Sequence, residues 1–491
     1  MITGLPSPSG VDVESPEWWL ERLERRLDAD RRVMSVWWRY HTGDHPAPEL
    51  PEKIRDKLLP AYKAMLRRSR TNYMRMAVEA YTDRMRPIGF WLGSDADAPR
   101  DDMSWRIWQA SRMDRDVHIA LLWAVARGRA YLSVWHHDGD ELPRIAVESP
   151  AQTVVEHEPG YSHRRAAALK TYRDDVAAED VAEVYLPDGV YEFRRRSTVG
   201  LPGGAYEESA YFANPLNVPL VPVVPLYNRP ETDPVERPVD RPTLVGGGDS
   251  EIADLVYIQD RVNETIFNAK IAEWSSAFRQ KHATGLVVDK VPKLDGDGEP
   301  VLNAQGEPEM IPVEPFDLGS DRLLVAESPE VTFGEFSESP QENFIRVRER
   351  ELEDLTIVSR IPRHYLIQQG QAPSGDSMVS AEVGFLGRIR RKLDDFGEDI
   401  EEAVGIARMF AGLEEMPPDA ELRWDDPENQ SLAQLTDSVI KEYQAGLITW
   451  DVALERLNYS PQQIARMRGQ RGADLLMRAL ESDEADAEDV V

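Results

Sequence analysis

Apolar residues recur at three- and four-residue spacing along most of this chain, and in a few places the period drops to two. Ser15 stands as an N-cap with Pro16 at N1, and Trp18, Trp19, Leu23 and Leu27 follow at helical spacing. Further helices are predicted at about 51–67, 69–85, 101–112 and 113–127. From Ala130 the pattern becomes that of strands. Tyr131–Trp135, the turn His136-His-Asp-Gly139 and Arg144–Val147 read as a hairpin, because Asp-Gly accommodates positive φ. Short strands are expected around Tyr185 and over Tyr191–Phe193, and four prolines keep 214–225 extended. Residues 228–248, ending in Gly246-Gly-Gly248, read as a linker with a flexible hinge.

A long amphipathic helix is predicted from Ser250 to about His282, with Leu255, Ile258, Val262, Ile266 and Ala269 on one face. At 1.5 Å per residue it would reach roughly 45–50 Å, more than a small core needs. Residues 285–335 read as loop and strand, with a turn at Asp295-Gly-Asp-Gly298. Ser339-Pro340-Gln341-Glu342 has the form of a capping box opening a helix to about Ser359. Pro362, Gly370, Pro373 and Gly375 break the pattern. A third long helix then carries Met378, Ala381, Phe385, Ile389, Phe396, Ile400 and Val404. Two more helices are expected beyond Pro417-Pro418, one closed by Gly446 at C′ and the last starting at Ser460-Pro461. The tail 481–491 holds six acids and is expected to be disordered.

This is an α+β, helix-rich pattern. The 491 residues suggest about three structural units, and 12 Trp, 16 Tyr and 12 Phe exclude wholesale disorder. With no cysteine, the chain has no disulfides, thiolate nucleophile, zinc ribbon or cysteine-held iron–sulfur cluster. The N-terminus has neither a basic n-region nor an apolar h-region, and the longest apolar run, Val218–Tyr227, is cut by prolines. A soluble protein assembled in the cytosol, with no membrane partner, is expected.

The net charge is −31. Residues 285–335 hold 12 acids and 3 bases, and residues 397–491 hold 22 and 8, while the first hundred residues are near neutral. Such acidity argues against a sequence-reading nucleic-acid binder, which needs a basic footprint. It leaves room for a protein that handles DNA without gripping it.

Candidate chemistry is thin. There is no G-x-x-x-x-G-K-[ST] phosphate loop and no H-E-x-x-H. Asp295, Asp297 and Glu299 begin like an EF-hand, but Pro300 stands where glycine is needed and Gly306 where the bidentate Glu belongs, so a solvated turn is the better reading. Gly375-Asp-Ser377 lacks the second glycine of a nucleophile elbow. No cofactor and no catalytic group is expected. The basic clusters Arg67-Arg-Ser-Arg70 and Arg388-Ile-Arg-Arg-Lys392 read as helix faces pairing with acids, Asp394, Asp395 and Glu398 in the second case. The uncharged stretch Ile367–Gly375 interrupts two strong helices. It suits either a plain interhelix loop or a loop lying beside a polyanion.

Seven pieces, in order, carry a resemblance. They are Trp37-Trp-Arg-Tyr-His-Thr-Gly43, Arg70-Thr-Asn-Tyr73, Ala126-Arg-Gly-Arg-Ala-Tyr131, Val221-Pro-Val-Val-Pro-Leu-Tyr-Asn-Arg229, Ile258-Gln-Asp-Arg-Val-Asn263, Ile361-Pro-Arg-His-Tyr-Leu366 and Pro373-Ser-Gly375. Together the chain resembles the portal (head–tail connector) proteins of tailed double-stranded-DNA bacteriophages, of the siphophage type found in phages of actinobacteria.

The resemblance implies a non-enzymatic ring, typically a dodecamer, at one capsid vertex of the virion. Double-stranded DNA would be packaged and ejected through it. Its implied partners are the large terminase, then a head–tail adaptor, with the major capsid and scaffolding proteins around it. It maps 1–249 to a wing, 250–284 and 338–360 to stem helices, and 285–337 to a clip. Residues 361–377 map to a tunnel loop, 378–414 to a long helix, 415–480 to a crown and 481–491 to an acidic tail. Gln368, Gln369, Gly370, Gln371 and Ser374 would meet DNA, and Asp295, Asp297 and Glu299 would face docking partners. The alternatives are an acidic multidomain hydrolase using a carboxylate pair, or another minor capsid component.

Overall fold

The computed structural model describes residues 12–470 apart from 47–58, 94–99, 198–203, 231–243, 278–280, 286–289, 313–329, 336–339, 367–374, 429–431 and 460–462. Positions 138, 162, 217, 245, 296, 297, 304, 305, 458 and 465 are also outside the description.

Helix α1 (Pro16–Thr42) starts where its cap places it. Ser15 Oγ accepts from the Trp18 amide at 3.2 Å, and Gly43, at φ 84°, donates back to the carbonyls of Arg39 and Tyr40. The two helices expected over 51–67 and 69–85 are both present, the second shortened at each end. α2 (Leu59–Ser69) stops, and Asn72 caps α3 (Tyr73–Thr82) by accepting from the Arg75 amide at 3.0 Å. Strand β1 (Pro87–Trp91) follows, then α4 (Asp102–Ala110), capped by Asp101, and α5 (Met113–Arg127).

The predicted hairpin forms from β2 (Arg129–Trp135) and β3 (Arg144–Glu148), with Trp135 opposite Arg144 and Tyr131 opposite Glu148. Next comes an antiparallel meander: β4 (Thr153–His157), β5 (Arg165–Asp174), β6 (Glu179–Leu186), β7 (Gly189–Arg196) and β8 (Glu207–Ala213), paired in that order. Both faces are covered over β4–β7, while β8 is largely exposed. Leu20, Leu23 and Leu27 of α1 pack with Val154, Ala167, Leu169, Ala182, Val184 and Phe193. The opposite face places Val155, Ala168, Tyr185 and Val190 against Tyr131, Val221 and Val223. Leu23 and Leu27 are wholly buried, each stabilising by about 2 kcal/mol. Of the proline-rich extended stretch, only β9 (Val223–Tyr227) is strand, added to the free edge of β2.

Gly246, Gly247 and Gly248 all have positive φ and do not form a loose hinge. A Cβ on Gly248 would lie 2.4 Å from the Gly128 carbonyl oxygen, so this turn is packed and requires glycine there. The long helix expected from Ser250 begins later and ends earlier: α6 spans Val256–Ala277, about 33 Å. The Ser250 hydroxyl donates to the Ala126 carbonyl at 2.6 Å and the Glu251 amide to that of Val125, which ties 250–255 into a buried turn. Lys281–Thr284, where the helix was expected to end, is instead β10.

β11 (Lys290–Pro292) pairs with β12 (Met310–Pro312), and β10 pairs with β13 (Thr332–Glu335). α7 (Gln341–Ser359) has Pro340 at its N-cap; Ser339, on which the expected capping box rests, lies outside the described residues. After the short α8 (Arg363–Leu366), α9 runs 36 residues, Gly375–Phe410. Its stripe of Phe385, Ile389, Phe396, Ile400 and Val404 joins Trp37, Tyr81, Trp108 and Leu121 in the main core, as the periodicity predicts. β14 (Glu421–Trp424) returns to pair with β1.

The chain divides into two compact units with the border between Asp425 and Asp426. The second unit contains α10 (Leu432–Gln444) and α11 (Trp450–Arg456), the latter unforeseen. Gly446, at φ 72°, ends the first turn region as expected, with Leu447 N–H donating to the Glu442 carbonyl. Ser460-Pro461, the expected start of the last helix, lies outside the described residues. Among the described residues no helix is long and apolar enough to cross a membrane.

Candidate functional site

Three of the seven sequence pieces meet at the base of α6. Gln259 and Asn263, four residues apart, share one buried helix face. Gln259 Oε1 accepts from the Tyr73 amide at 3.0 Å and its Nε2 donates to the Thr71 carbonyl at 2.7 Å. Asn263 Oδ1 accepts from the Thr71 amide at 3.1 Å, and its Nδ2 lies 2.9 Å from His45 Nδ1. The other His45 nitrogen sits 3.0 Å from the Tyr40 carbonyl. Burial lowers the His45 pKa, so the neutral ring accepts at Nδ1 and donates from Nε2. Tyr40 closes the group by donating to Asp260 Oδ2 at 2.7 Å; burial raises the pKa of both partners. These bonds tie the three chain segments together.

A second joint unites two further pieces. The Asn228 amide donates to the Gly128 carbonyl at 3.0 Å, and the Asp249 amide to the Asn228 carbonyl at 2.8 Å. Glu251, buried beneath, takes Arg388 at 2.5 Å and Lys392 at 2.8 Å. Burial would raise its pKa, but those two cations hold it near 2. Lys392 also donates to Asn228 Oδ1 at 2.5 Å. The cluster at 388–392 thus pairs with an acid, as its plain reading held, and the partner of Arg388 and Lys392 is Glu251 from another element. Gln259, Asn263 and Glu251 escaped notice as site residues. The available signal was polar side chains interrupting an apolar helical face.

The sixth piece anchors one end of the candidate tunnel loop. Ile361 and Pro362 are buried, and Tyr365 donates to Glu382 Oε1 at 2.9 Å on α9. Glu382 also lies 3.3 Å from His364, and Arg84 donates to the Tyr365 hydroxyl. Gln368, Gln369, Gly370, Gln371 and Ser374 lie outside the described residues, and α9 already begins at Gly375, inside the range expected for the loop.

In the candidate clip, Asp295 forms the predicted turn. Its Oδ1 accepts from the Glu299 amide at 3.0 Å, and its own amide donates to the Glu299 carbonyl at 2.8 Å. Asp297 lies outside the described residues. Eight residues on, Asn303 repeats this geometry with Glu307. The duplication is legible as Leu294-Asp-Gly-Asp-Gly-Glu-Pro300 followed by Leu302-Asn-Ala-Gln-Gly-Glu-Pro308. Lys293, Val301 and Glu309 close a ring of backbone bonds, each amide donating to the next carbonyl at 2.7–2.8 Å. Leu294, Leu302 and Met310 are left exposed.

Among the described residues no three His, Asp or Glu side chains gather as a metal site. The pattern of the family described as "Phage portal protein, SPP1 Gp6-like" matches residues 20–472. The portal protein of Mycobacterium phage D29 is 25% identical over 451 residues, covering 88% of this chain and 84% of that protein. The portal protein of Mycobacterium phage L5 is 24% identical over 478 residues, covering 94% and 90%. Among solved structures, the neck of an empty gene transfer agent particle aligns with TM-score 0.41 and 11% identity, over 82% of this chain and 94% of that one. A chain of the native gene transfer agent virion aligns at 0.40 and 11%, over 89% and 99%.

Proposed function

The chain belongs to the SPP1 Gp6-like phage portal proteins, and from that premise we propose that it assembles as a homo-oligomeric ring, a dodecamer, at one capsid vertex. Its role is that of a structural portal protein of the virion. On this reading the subunits assemble in the host cytoplasm, and double-stranded DNA enters and leaves through the ring. Residues 285–337 dock the large terminase and later the head–tail adaptor, and the capsid and scaffolding proteins surround the wing. The protein does no catalysis; ATP hydrolysis belongs to the terminase.

The observation that carries the ring is the surface of α6 and α7. They pack on each other through Arg261–Asp354 at 3.1 Å and Thr265–Glu351 at 3.1 Å. Yet Tyr257 and Trp274 on one, and Ile345, Val347, Ile357 and Val358 on the other, remain outside, with Tyr257 67% and Ile357 73% exposed. Large apolar groups left outside on two neighbouring helices mark a surface for association. An acidic lining suits DNA sliding, since it repels phosphates instead of binding them. The hydrolase alternative finds no support in the comparisons.

Mass photometry and negative-stain imaging of the purified chain test the ring. A particle near twelve times 55.7 kDa with a central hole is expected; a monomer at all concentrations overturns it.

A further inference from the structure

A polar cavity of about 320 Å³ opens where α9 passes the end of α7 and the 249–255 turn. It brings Arg229, Arg360, Arg388, Arg391 and Lys392 together with three carboxylates, Glu251, Asp254 and Asp395, in a chain whose net charge is −31. Three of the five are already committed. Arg388 and Lys392 hold Glu251, and Arg229 holds Asp254 at 3.2 Å and Asp249 at 3.5 Å. Arg360 and Arg391 are exposed at the rim, and among the described residues neither has an ion-pair partner. Arg360 sits at φ 58° as the residue closing α7, a left-handed conformation that directs the chain away from the helix at this rim.

The cavity wall includes Val358, which together with Ile357 belongs to the exposed apolar surface of α7. A cationic hollow with two unmatched guanidiniums is therefore continuous with the surface assigned above to subunit contact. In a closed ring the contact is head-to-tail, so a patch on one subunit meets a different patch on its neighbour. A copy of this chain brings a large excess of carboxylates, and the planar guanidinium fork matches a carboxylate bidentately.

We propose that Arg360 and Arg391 receive a carboxylate from a neighbouring copy of this chain, making the cavity the electrostatic half of the ring contact whose apolar half is the α7 surface. This rests on the ring reading. Partial desolvation by Ile357 and Val358 strengthens such a pair relative to an open surface bridge. Arg388, Lys392 and Glu251 form its ion-paired floor, which fixes α9 and so the position of Arg391.

The test is ring formation by the full chain, followed by mass photometry over a dilution series at about 50 and about 500 mM NaCl, where screening differs several-fold. Arg360→Ala with Arg391→Ala should raise the protein concentration for half-assembly about tenfold and flatten its salt dependence. Arg360→Lys with Arg391→Lys should restore part of the assembly. Circular dichroism checks the fold, and if the alanine pair does not fold, the single exposed change Arg391→Glu takes its place and must disperse the rings. Rings of the double-alanine variant with wild-type concentration and salt dependence overturn the proposal and leave the ring reading intact. Absence of rings in the wild type overturns both. Saturable binding of inorganic phosphate to the wild-type monomer, lost in Arg391→Ala, also overturns it, because the cavity would then take a small anion.

Discussion

Arg408, near the C-terminal end of α9, donates from Nη1 to Asp101 Oδ2 at 2.5 Å, across 307 positions of sequence. Asp101 is also the cap of α4, accepting from the Ser104 amide at 3.1 Å. One carboxylate thus starts one helix and holds the far end of another. Both side chains are under a tenth exposed. Arg408→Ala would leave a buried carboxylate without its cation and should cost about 3 kcal/mol. Chemical denaturation of purified protein measures this, and a change below about 1 kcal/mol would show the pair to be incidental.

Gln259→Leu removes the partners of the Tyr73 amide and the Thr71 carbonyl while keeping apolar bulk. Two buried backbone groups lose their bonds, so a loss of about 2 kcal/mol is expected. Hydrogen exchange at 70–73 should rise most; a uniform rise across the first compact unit would contradict the localised joint.

Asp399 gives a pH dependence. Burial pushes its carboxyl up to about 8, with Glu402 and Asp395 acting the same way and the Tyr227 amide, at 3.4 Å, and Arg165 opposing. The folded value lies above the ordinary 3.8, so the fold binds this proton more tightly than the unfolded chain. The contribution to stability is full below about pH 4 and is lost as pH rises through about 8. Asp399→Asn should unfold at least about 2 °C higher than wild type at pH 8, with the gap closing toward pH 5. Parallel melting curves at both pH values would refute the assignment.

Deleting Gln368–Ala372 should leave ring assembly intact, because the flanking anchors, Tyr365 on Glu382 and the buried Ile361, are untouched. Packaging or retention of DNA should fall. Wild-type phage yield from the deletion would remove the tunnel-loop assignment.

Reversing charge in the clip should weaken docking of terminase or adaptor, and the two described acids are unequal probes. Asp295 builds its turn by accepting from the Glu299 amide, so Asp295→Lys mixes folding with charge. Glu299 contributes its backbone to that turn, which makes Glu299→Lys the cleaner change. Unaltered pull-down of both partners by Glu299→Lys would count against this docking face.

Local signals in the sequence carried well. Ser15 with Pro16, the Asp-Gly hairpin, Gly446 and the α9 stripe are each decided by a few neighbouring residues. The meander was largely invisible because its strands β4–β7 are buried on both faces. Val154-Val155 and Ala167-Ala168 point to opposite sides and are all apolar, which erases the period of two. β1 and β14 were missed for a different reason: Phe90 pairs with Leu422, a choice no local pattern encodes. The start of α6 was misjudged because Leu255 fits a helical stripe, while the bond from Ser250 to Ala126 that bends this segment is long-range. The sequence pieces at 70–73 and 258–263 were visible as motifs, but their joining through Thr71, Gln259 and Asn263 is a product of folding.

The 285–331 segment enters and leaves through one short ladder, Lys281 against Glu335 to Thr284 against Thr332. Between those posts, 293–309 is built from a duplicated eight-residue unit whose bonds close on themselves. A part attached in this way behaves as a cassette. Its length and sequence can diverge while the main core around Trp37, Trp108 and Phe396 stays under separate constraint.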